Sequence, residues 1–471
     1  MRKMSMKLLR SEVENKKVLV FGSGISGIGA VKLLETLKAQ VVLYDGNEKL
    51  QEEQIRKQLG SESACSIVLG ELKEELLPTL DLVVMSPGVP LDIPPVERLK
   101  AAGIPIWGEV ELAYQMGAGK VLAITGTNGK TTTTALLGEI MKADRDARKT
   151  YDEVYVVGNI GNAYTKEALS MKETSCTVAE ISSFQLETAD TFKPDVSGIL
   201  NITEDHLNRH HTMEEYIRVK ELIAANQTKE NYCVLNYEDQ VLREFASQCP
   251  ANVVFFSSVR RLEQGIFLED GKILLRTDSQ ELEIVNTKDL KLLGQHNYEN
   301  VMAAAAMAYY AGVTVEIIRK AVTEFRAVAH RIEFVDEIDG VAYYNDSKGT
   351  NPDAAIKGIQ AMNRPTLLIG GGYDKESSYE EWIESFDGKV KYLVLIGQTR
   401  EKIQKTAHAC GFMNTILAEN LEEAVDICAK KAQKGDAVLL SPACASWGQF
   451  DNYEQRGDKF KEYVYKLKAY K

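Results

Sequence analysis

The stretch that most limits what this chain can become is Val121-Leu-Ala-Ile-Thr-Gly-Thr-Asn-Gly-Lys130, followed at once by Thr131 to Thr134. Apolar and β-branched residues run into a glycine turn, then a lysine, then hydroxyl residues opening an apolar helix. That order predicts a strand, a phosphate-cradling loop and a helix N-terminus. Backbone N–H groups freed by Gly126 and Gly129 can face phosphate oxygens, and the helix dipole adds partial positive charge. Lys130 supplies a mobile cation for terminal phosphates, and Thr131 a hydroxyl for Mg²⁺. The loop is two residues shorter than the usual G-x-x-x-x-G-K-[ST], so the generic pattern misses it. The expectation is ATP binding.

At 471 residues the chain has room for about three domains. A hydrophobic fraction of 44% beside 26% charged residues describes a globular protein with ample core. No apolar run approaches the roughly 20 residues of a bilayer span, and Met1 to Lys17 lacks the apolar stretch of a signal peptide. Seven scattered cysteines without C-x-x-C spacing read as buried thiols of a reducing compartment. With a net charge of −12 and dispersed basic residues, nucleic-acid binding has no electrostatic support. A cytoplasmic, multidomain α/β protein is expected.

Three blocks alternate strand and helix patterns. In the first, Lys17–Phe21, Val41–Tyr44 and Leu82–Met85 read as strands, the first followed by a helix to about Leu37. The second starts near Lys120 and continues through the strands Thr177–Glu180 and Gly198–Thr203 to an alanine-rich helix, Gly294–Ala311. The third holds strand-like runs at 342–345, 366–369, 392–396 and 437–440, each followed by Gly, Ser or Asp. Such alternation predicts doubly wound, largely parallel sheets.

Several groups could carry chemistry. Gly22-x-Gly24-x-x-Gly27 lies between a strand and a helix, with Asp45 near the end of the next strand. It suits the diphosphate of a dinucleotide or of a UDP-sugar, with Asp45 on a ribose hydroxyl. Glu180, at a strand's carboxyl end beside the phosphate loop, stands where Mg²⁺ is held, or is a solvated acid. His206, in Asn201-Ile-Thr-Glu-Asp-His206, is a less usual magnesium ligand and is equally a loop residue. His210 and His211 read as loop residues. Thr212-Met-Glu-Glu215 forms a capping box for a helix on which Lys220, viewed alone, is an exposed lysine. In the third block Asn351 caps a helix opened by Pro352, placing Lys348 and Thr350 at an anion-friendly helix start. Lys375 and the hydroxyl-bearing Ser441-Pro-Ala-Cys-Ala-Ser446 follow two further strands. Together they suggest a pocket for an acidic small molecule, with Cys444 a structural thiol.

Read in order, Gly126-Thr-Asn-Gly-Lys-Thr-Thr132, Glu180-Ile-Ser-Ser-Phe-Gln185, Asn201-Ile-Thr-Glu-Asp-His206, His296-Asn-Tyr-Glu-Asn300, His330-Arg331 and Asn345-Asp-Ser-Lys348 resemble the Mur ligase family of ATP-dependent peptidoglycan amide-bond synthetases. The resemblance covers essentially the whole chain. It implies an α/β fold of three domains: Rossmann-like and UDP-sugar-binding over 1–108, P-loop ATPase-like over 109–327, and Rossmann-like and amino-acid-binding over 328–471. The N-terminal glycine motif and the late Ser441–Ser446 and Tyr453-Glu-Gln-Arg-Gly457 are similar to the D-glutamate-adding branch. ATP would then be met by Gly126, Thr127, Asn128, Gly129, Lys130, Thr131, Thr132, Asn297, Asn300, Arg331 and Asp346. Thr131, Glu180, His206 and a carbamylated Lys220 would hold magnesium, two ions in all, with Lys130, Glu180, His206 and Lys220 the catalytic set. Ser23, Gly24, Ile25, Ser26, Asp45, Gly88, Asn159, Ser182 and Gln185 fall where UDP-N-acetylmuramoyl-L-alanine binds. Lys348, Thr350, Lys375, Ser446 and Tyr453 fall where D-glutamate binds. The resemblance implies a cytoplasmic monomer acting on small molecules, away from membrane and nucleic acid. Tyr453 departs from the family's common phenylalanine, and Asn47 from the basic residue often found after the acidic strand end. A different amide ligase of the family, an NAD-dependent oxidoreductase on residues 17–110 and a non-catalytic nucleotide switch are the rival readings.

Overall fold

The computed structural model describes residues 13–326, 328–375 and 377–469. Met1–Ser11 and Glu12 therefore lie outside it, with most of the segment read above as lacking a signal peptide, and so does Ala327 at the expected boundary between the second and third domains. The chain divides into two compact units, Met1–Ile284 with Glu299–Ala321, and Val285–Tyr298 with Val322–Lys471.

The first unit opens with five parallel strands, β1 (Lys17–Phe21), β2 (Gln40–Asp45), β3 (Ser66–Leu69), β4 (Leu82–Met85) and β5 (Ile106–Gly108), in the order β3-β2-β1-β4-β5. Val18 lies opposite Val41 on one side and Leu82 on the other. Strands covered on both faces are written as apolar runs, which is why Val-Leu-Val and Leu-Val-Val-Met serve here. Strand order reverses between β1 and β4, so the loops after them part and leave a crevice at their carboxyl ends, where such sheets take ligands.

A nine-stranded sheet follows. It uses β6 (Lys120–Thr125), β7 (Val154–Gly158), β8 (Cys176–Glu180), β9 (Val196–Ile199), β10 (Tyr232–Asn236), β11 (Asn252–Ser257), β12 (Gly265–Glu269), β13 (Lys272–Arg276) and β14 (Glu281–Asn286), in the order β14-β13-β12-β11-β10-β9-β6-β8-β7. Interior β6 pairs in parallel with both β8 and β9. Two expectations are corrected here. The strand expected at 198–203 is β9 and ends at Ile199, because Leu200 and Asn201 turn back to line the phosphate loop. The antiparallel β12–β13 hairpin was not anticipated, and it turns through Asp270 and Gly271, both at positive φ.

One apolar core runs through both sheets, from Val18 and Leu34 through Val110 and Leu112 to Val121 and Ala179. The helix Glu109–Met116 joins them, and its buried Glu111 carboxylate accepts from the backbone N–H of Asp190, Thr191 and Phe192 at 3.0–3.1 Å. Two of the three expected blocks are therefore one compact unit.

The second unit carries β15 (Glu333–Ile338), β16 (Val341–Asn345), β17 (Thr366–Gly370), β18 (Val390–Leu395), β19 (Thr415–Leu417) and β20 (Ala437–Leu440), ordered β15-β16-β20-β17-β18-β19. All pairs are parallel except β15 with β16. Because β20 inserts between β16 and β17, the loops after these three strands open side by side at one edge. Asp346, Lys348, Thr350, Lys375 and Ser446 sit on those loops and Tyr453 at the head of the helix Tyr453–Ala469, whereas Arg331 precedes β15.

Candidate active site

Strand β6 feeds straight into the phosphate loop. Gly126 has φ +145° and Gly129 φ +86°, and a Cβ on Gly129 would strike the Asn300 carboxamide. Backbone and space both demand glycine there. Asn201 clamps the loop from β9's exit: its Oδ1 accepts from Asn128 N at 2.8 Å and its Nδ2 donates to Asn128 O at 3.1 Å. Lys130 Nζ donates to Gly126 O at 2.7 Å and Thr127 O at 2.8 Å. The cation is thus held over the loop that would cradle phosphate. Thr133 Oγ1 donates to Asn300 Oδ1 at 3.2 Å, which fastens Asn300 to the start of the helix Lys130–Arg148.

Lys220 is not the exposed lysine its helix suggested. It is 1% exposed, donates from Nζ to Gly126 O at 2.9 Å, and lies 4.6 Å from the centroid of the Tyr216 ring. Burial, reinforced by repulsion from Lys130 and opposed by Asp205, lowers its pKa to about 7. Near neutrality a large share of this amine is unprotonated and nucleophilic. The sequence held a signal: Tyr216, Val219, Lys220 and Ile223 share one helical stripe whose other members are apolar. The capping box below it is half formed. Thr212 Oγ1 accepts from Glu215 N, but the Glu215 side chain pairs with Arg218 at 2.6 Å instead of returning to the cap.

Glu180 ends β8 fully buried. Its Oε1 accepts from Asn159 Nδ2 at 2.9 Å, while Oε2 has no hydrogen-bond donor among the described residues. A buried carboxylate oxygen left this way is costly unless a cation meets it. His206 adopts φ +54°, its side chain is 48% exposed, and it packs 4.9 Å from the Phe184 ring. Among the described residues no cluster of three or more His, Cys, Asp or Glu could hold a metal. His210, read as a loop residue, instead ends the short helix Leu207–His210 and is buried against Ser183 Oγ at 3.0 Å; burial lowers its pKa. Arg209 donates to Val89 O at 2.8 Å, pairs with Glu187 at 2.6 Å, and sits over Phe184. It thereby ties the Ser86–Pro90 loop, with exposed Gly88, to the ring that supports His206.

In the crevice of the first sheet, Ser23 donates to Asp45 Oδ2 from both N (3.0 Å) and Oγ (2.6 Å), and Asn47 N donates to Asp45 Oδ1 at 3.0 Å. Asp45 therefore shapes the glycine loop before any ribose could reach it. A Cβ on Gly27 would collide with Gly22 O, whereas Gly24 is open and Ile25 is 85% exposed at the helix start beside Ser26. Ser182 and Gln185 form a complete capping box, and Gln185 Nε2 also donates to buried Glu109 at 2.7 Å.

In the second unit Asn351 Oδ1 accepts from Ala354 N at 2.8 Å, the expected cap. Lys348 Nζ lies 5.7 Å from the Tyr453 ring centroid, and Thr350 N donates to Lys348 O at 2.8 Å. Asp346 turns inward. Its carboxylate accepts from Ser441 Oγ at 2.7 Å and from Ile332 N at 3.2 Å, yet burial raises its pKa to about 7. Arg456, which sequence reasoning passed over, is fully buried and braces two loops, donating to Ser347 Oγ and Ser347 O at 2.9 Å and to Cys444 O at 3.0 Å. Ser446 is buried two residues beyond Cys444. The Cys444 thiol is enclosed by Tyr379 OH and Thr399 Oγ1, and burial raises its pKa, as befits a structural thiol. Arg331 and Asn297 also belong to this unit; Asn297 Nδ2 is turned to Leu293 O at 2.7 Å.

Three stretches of the chain match family models: a Mur ligase MurD-like N-terminal domain at residues 16–108, a Mur ligase middle domain at 124–308, and a Mur ligase glutamate ligase domain at 330–444. A UDP-N-acetylmuramoylalanine--D-glutamate ligase of Lachnoclostridium phytofermentans is 57% identical over 453 residues, 96% of this chain and 98% of that one. The ligase of the same name from Lachnospira eligens is 57% identical over 458 residues, 97% and 100% of the two chains. The chain belongs to the Mur ligase family.

Solved structures agree on the fold. UDP-N-acetylmuramate-alanine ligase from Thermotoga maritima superposes with a TM-score of 0.56 at 18% identity, covering 97% of this chain and all (100%) of that one. MurF ligase from the same organism, solved in complex with ADP, gives 0.53 at 18% identity over 98% and 97% of the two chains. This Mur ligase is an ATP-dependent, amide-bond-forming enzyme. Its fold is the α/β arrangement expected, with a phosphate loop after an interior strand of the second sheet and crevices at the carboxyl ends of the first and third. No described helix is long and apolar enough to cross a membrane, and all seven cysteines are free thiols.

Proposed function

We propose that this Mur ligase joins D-glutamate to the L-alanyl carboxylate of UDP-N-acetylmuramoyl-L-alanine, with ATP converted to ADP and phosphate. The observation that carries the reading is the cluster at the Gly126 carbonyl. Lys130, a near-neutral buried Lys220 and the phosphate loop meet there, with the half-satisfied Glu180 ending the neighbouring strand. Full-length similarity to ligases of that printed name supports the choice of substrates.

A carboxylate resists an amine because oxide does not leave. Attack of the L-alanyl carboxylate on the γ-phosphorus of ATP breaks the bond to ADP and gives an acyl phosphate. The D-glutamate amine then adds to the acyl carbon, and phosphate departs from the tetrahedral intermediate. Lys130 can swing from its two carbonyl partners to the transferred phosphoryl group, where a fixed cation counts most. Gly126, Thr127, Asn128, Gly129, Thr131 and Thr132 would cradle ATP, and Asn297, Asn300, Arg331 and Asp346 are assigned to the same ligand.

The unpartnered Glu180 oxygen fits a hard cation, as does a carbamate on Lys220, whose unprotonated amine can add CO₂. Thr131, Glu180, His206 and carbamylated Lys220 would hold two Mg²⁺ ions, which when bound neutralise phosphate charge. A Lys220→Ala variant should lose most activity and regain part of it with short-chain carboxylates. Failure of every such carboxylate would argue against the carbamate.

Ser23, Gly24, Ile25, Ser26, Asp45, Gly88, Asn159, Ser182 and Gln185 are assigned to the UDP-substrate, and Lys348, Thr350, Lys375, Ser446 and Tyr453 to D-glutamate. Residues 1–108, 109–327 and 328–471 would be the UDP-sugar, ATP and amino-acid domains of a cytoplasmic monomer. The deciding experiment is phosphate release from ATP with UDP-N-acetylmuramoyl-L-alanine and a panel of D- and L-amino acids. Release that needs both the UDP-substrate and D-glutamate is expected. Release with another amino acid would keep the ligase and overturn the D-glutamate site.

A further inference from the structure

The loops after β17 and β20 are stitched together beside Lys375. Tyr373 N donates to Ala445 O at 2.9 Å, and this bond brings the Tyr373 and Trp447 rings edge to face, 5.5 Å between centroids at 65°. The rings are 40% and 54% exposed, an unusual outlay of aromatic surface on a soluble face. They border a cavity of about 550 Å³ whose other walls include Gln398, Arg400, Glu401, Glu419 and Gln449. Lys375 Nζ lies 5.1 Å from the Trp447 centroid. The backbone next to it is pinned, since Asp374 N donates to Gln398 Oε1 at 3.3 Å and both Asp374 carboxylate oxygens meet Lys402 Nζ at 3.1 Å.

We propose that Trp447 is a positioning residue for Lys375, and that Trp447 and Tyr373 form an aromatic wall of the amino-acid pocket that favours acidic substrates. The inference rests on the assignment of Lys375 to D-glutamate made above. An exposed lysine samples many rotamers, and ordering it on binding weakens the complex. Indole is the ring face that attracts an ammonium most strongly, so Trp447 holds the charge near its working position before substrate arrives. The ring leaves the charge available, because it offers no anion to neutralise it. Arg400, the cation on the cavity wall, is already paired with Glu419 at 3.0 Å. Lys375, held at the Trp447 ring beside that cavity, is placed to meet a substrate carboxylate on this side.

The full-length enzyme tests this directly. Trp447 is exposed, so Trp447→Leu should fold normally. Its KM for D-glutamate should rise roughly three- to tenfold, the weight of an exposed to partly desolvated cation–ring contact. Turnover number and the KM values for ATP and the UDP-substrate should stay within about twofold, and Trp447→Phe should restore most of the loss. Trp382 is buried and Trp107 half-buried, so Trp447 is the indole whose fluorescence can report the pocket. With UDP-N-acetylmuramoyl-L-alanine and a non-hydrolysable ATP analogue bound, D-glutamate should change the emission of the wild type and not of Trp447→Phe. An unchanged D-glutamate KM in Trp447→Leu, or a Phe variant as impaired as the Leu variant, overturns the proposal while D-glutamate activity stands. A wild type that ignores D-glutamate altogether removes the assignment beneath it as well.

Discussion

Asp346 is a carboxyl group wholly enclosed by protein, and its pKa rises to about 7 because burial outweighs Ser441, the Ile332 N–H, Arg331 and Arg456. A carboxyl whose folded pKa exceeds its unfolded value binds its proton more tightly in the native state. Stability is therefore lost as pH rises from about 4 towards 7, the reverse of the usual aspartate. Asp346→Asn should remove that slope. Between pH 5 and 8 the variant should gain about 2 kcal/mol relative to wild type in urea denaturation; a constant difference would mean that the carboxyl is already ionised at pH 5. Some single residues declare themselves in the sequence because their chemistry is local. Gly126, Gly129, Lys130 and the Asn351 cap need only their neighbours to be read. Lys220, Glu180 and Arg456 owe their character to what folds over them. Only the apolar stripe through Tyr216 and Val219 hinted that Lys220 would be buried.

Among elements, the helix Glu109–Met116 does more than bridge two sheets. Its Glu111 carboxylate replaces the missing strand partners of three consecutive amides, those of Asp190, Thr191 and Phe192. Glu111→Ala should leave these N–H groups without acceptors and cost about 3 kcal/mol, seen as a lower urea midpoint at unchanged m-value. A loss under about 0.5 kcal/mol would show that other acceptors take over. Parallel strands were legible as apolar runs, and their ends were right to within two residues for β1, β4 and β20. The strand expected through Thr203 failed because Leu200 and Ile202 are apolar for a different reason: both are buried around the loop that returns to Asn128. The β12–β13 hairpin did carry a signal, the Asp270-Gly271 pair that favours a tight turn with both residues at positive φ.

At the scale of the molecule, the order of motifs along the chain was the most legible feature, since three successive blocks each alternated strand and helix patterns. Which blocks fuse into one unit was not legible, because that depends on side chains such as Val110 and Leu112 meeting a core built over a hundred residues away. An acyl phosphate formed by the whole enzyme has a signature of its own. Oxygen-18 placed in the L-alanyl carboxylate should pass into the released phosphate, and unlabelled phosphate would sink that intermediate.

The unbroken core from Val18 to Ala179 has a consequence for how such a chain can change by genetic exchange. A crossover near residue 108 would give each daughter half of an oily interior fitted to the wrong parent, and Gly108, which bonds to Thr188 O at 3.1 Å, would lose its partner as well. Exchange of the first sheet alone should therefore lower the urea midpoint, and exchange of both sheets together should not. For recombination the two sheets count as one cassette.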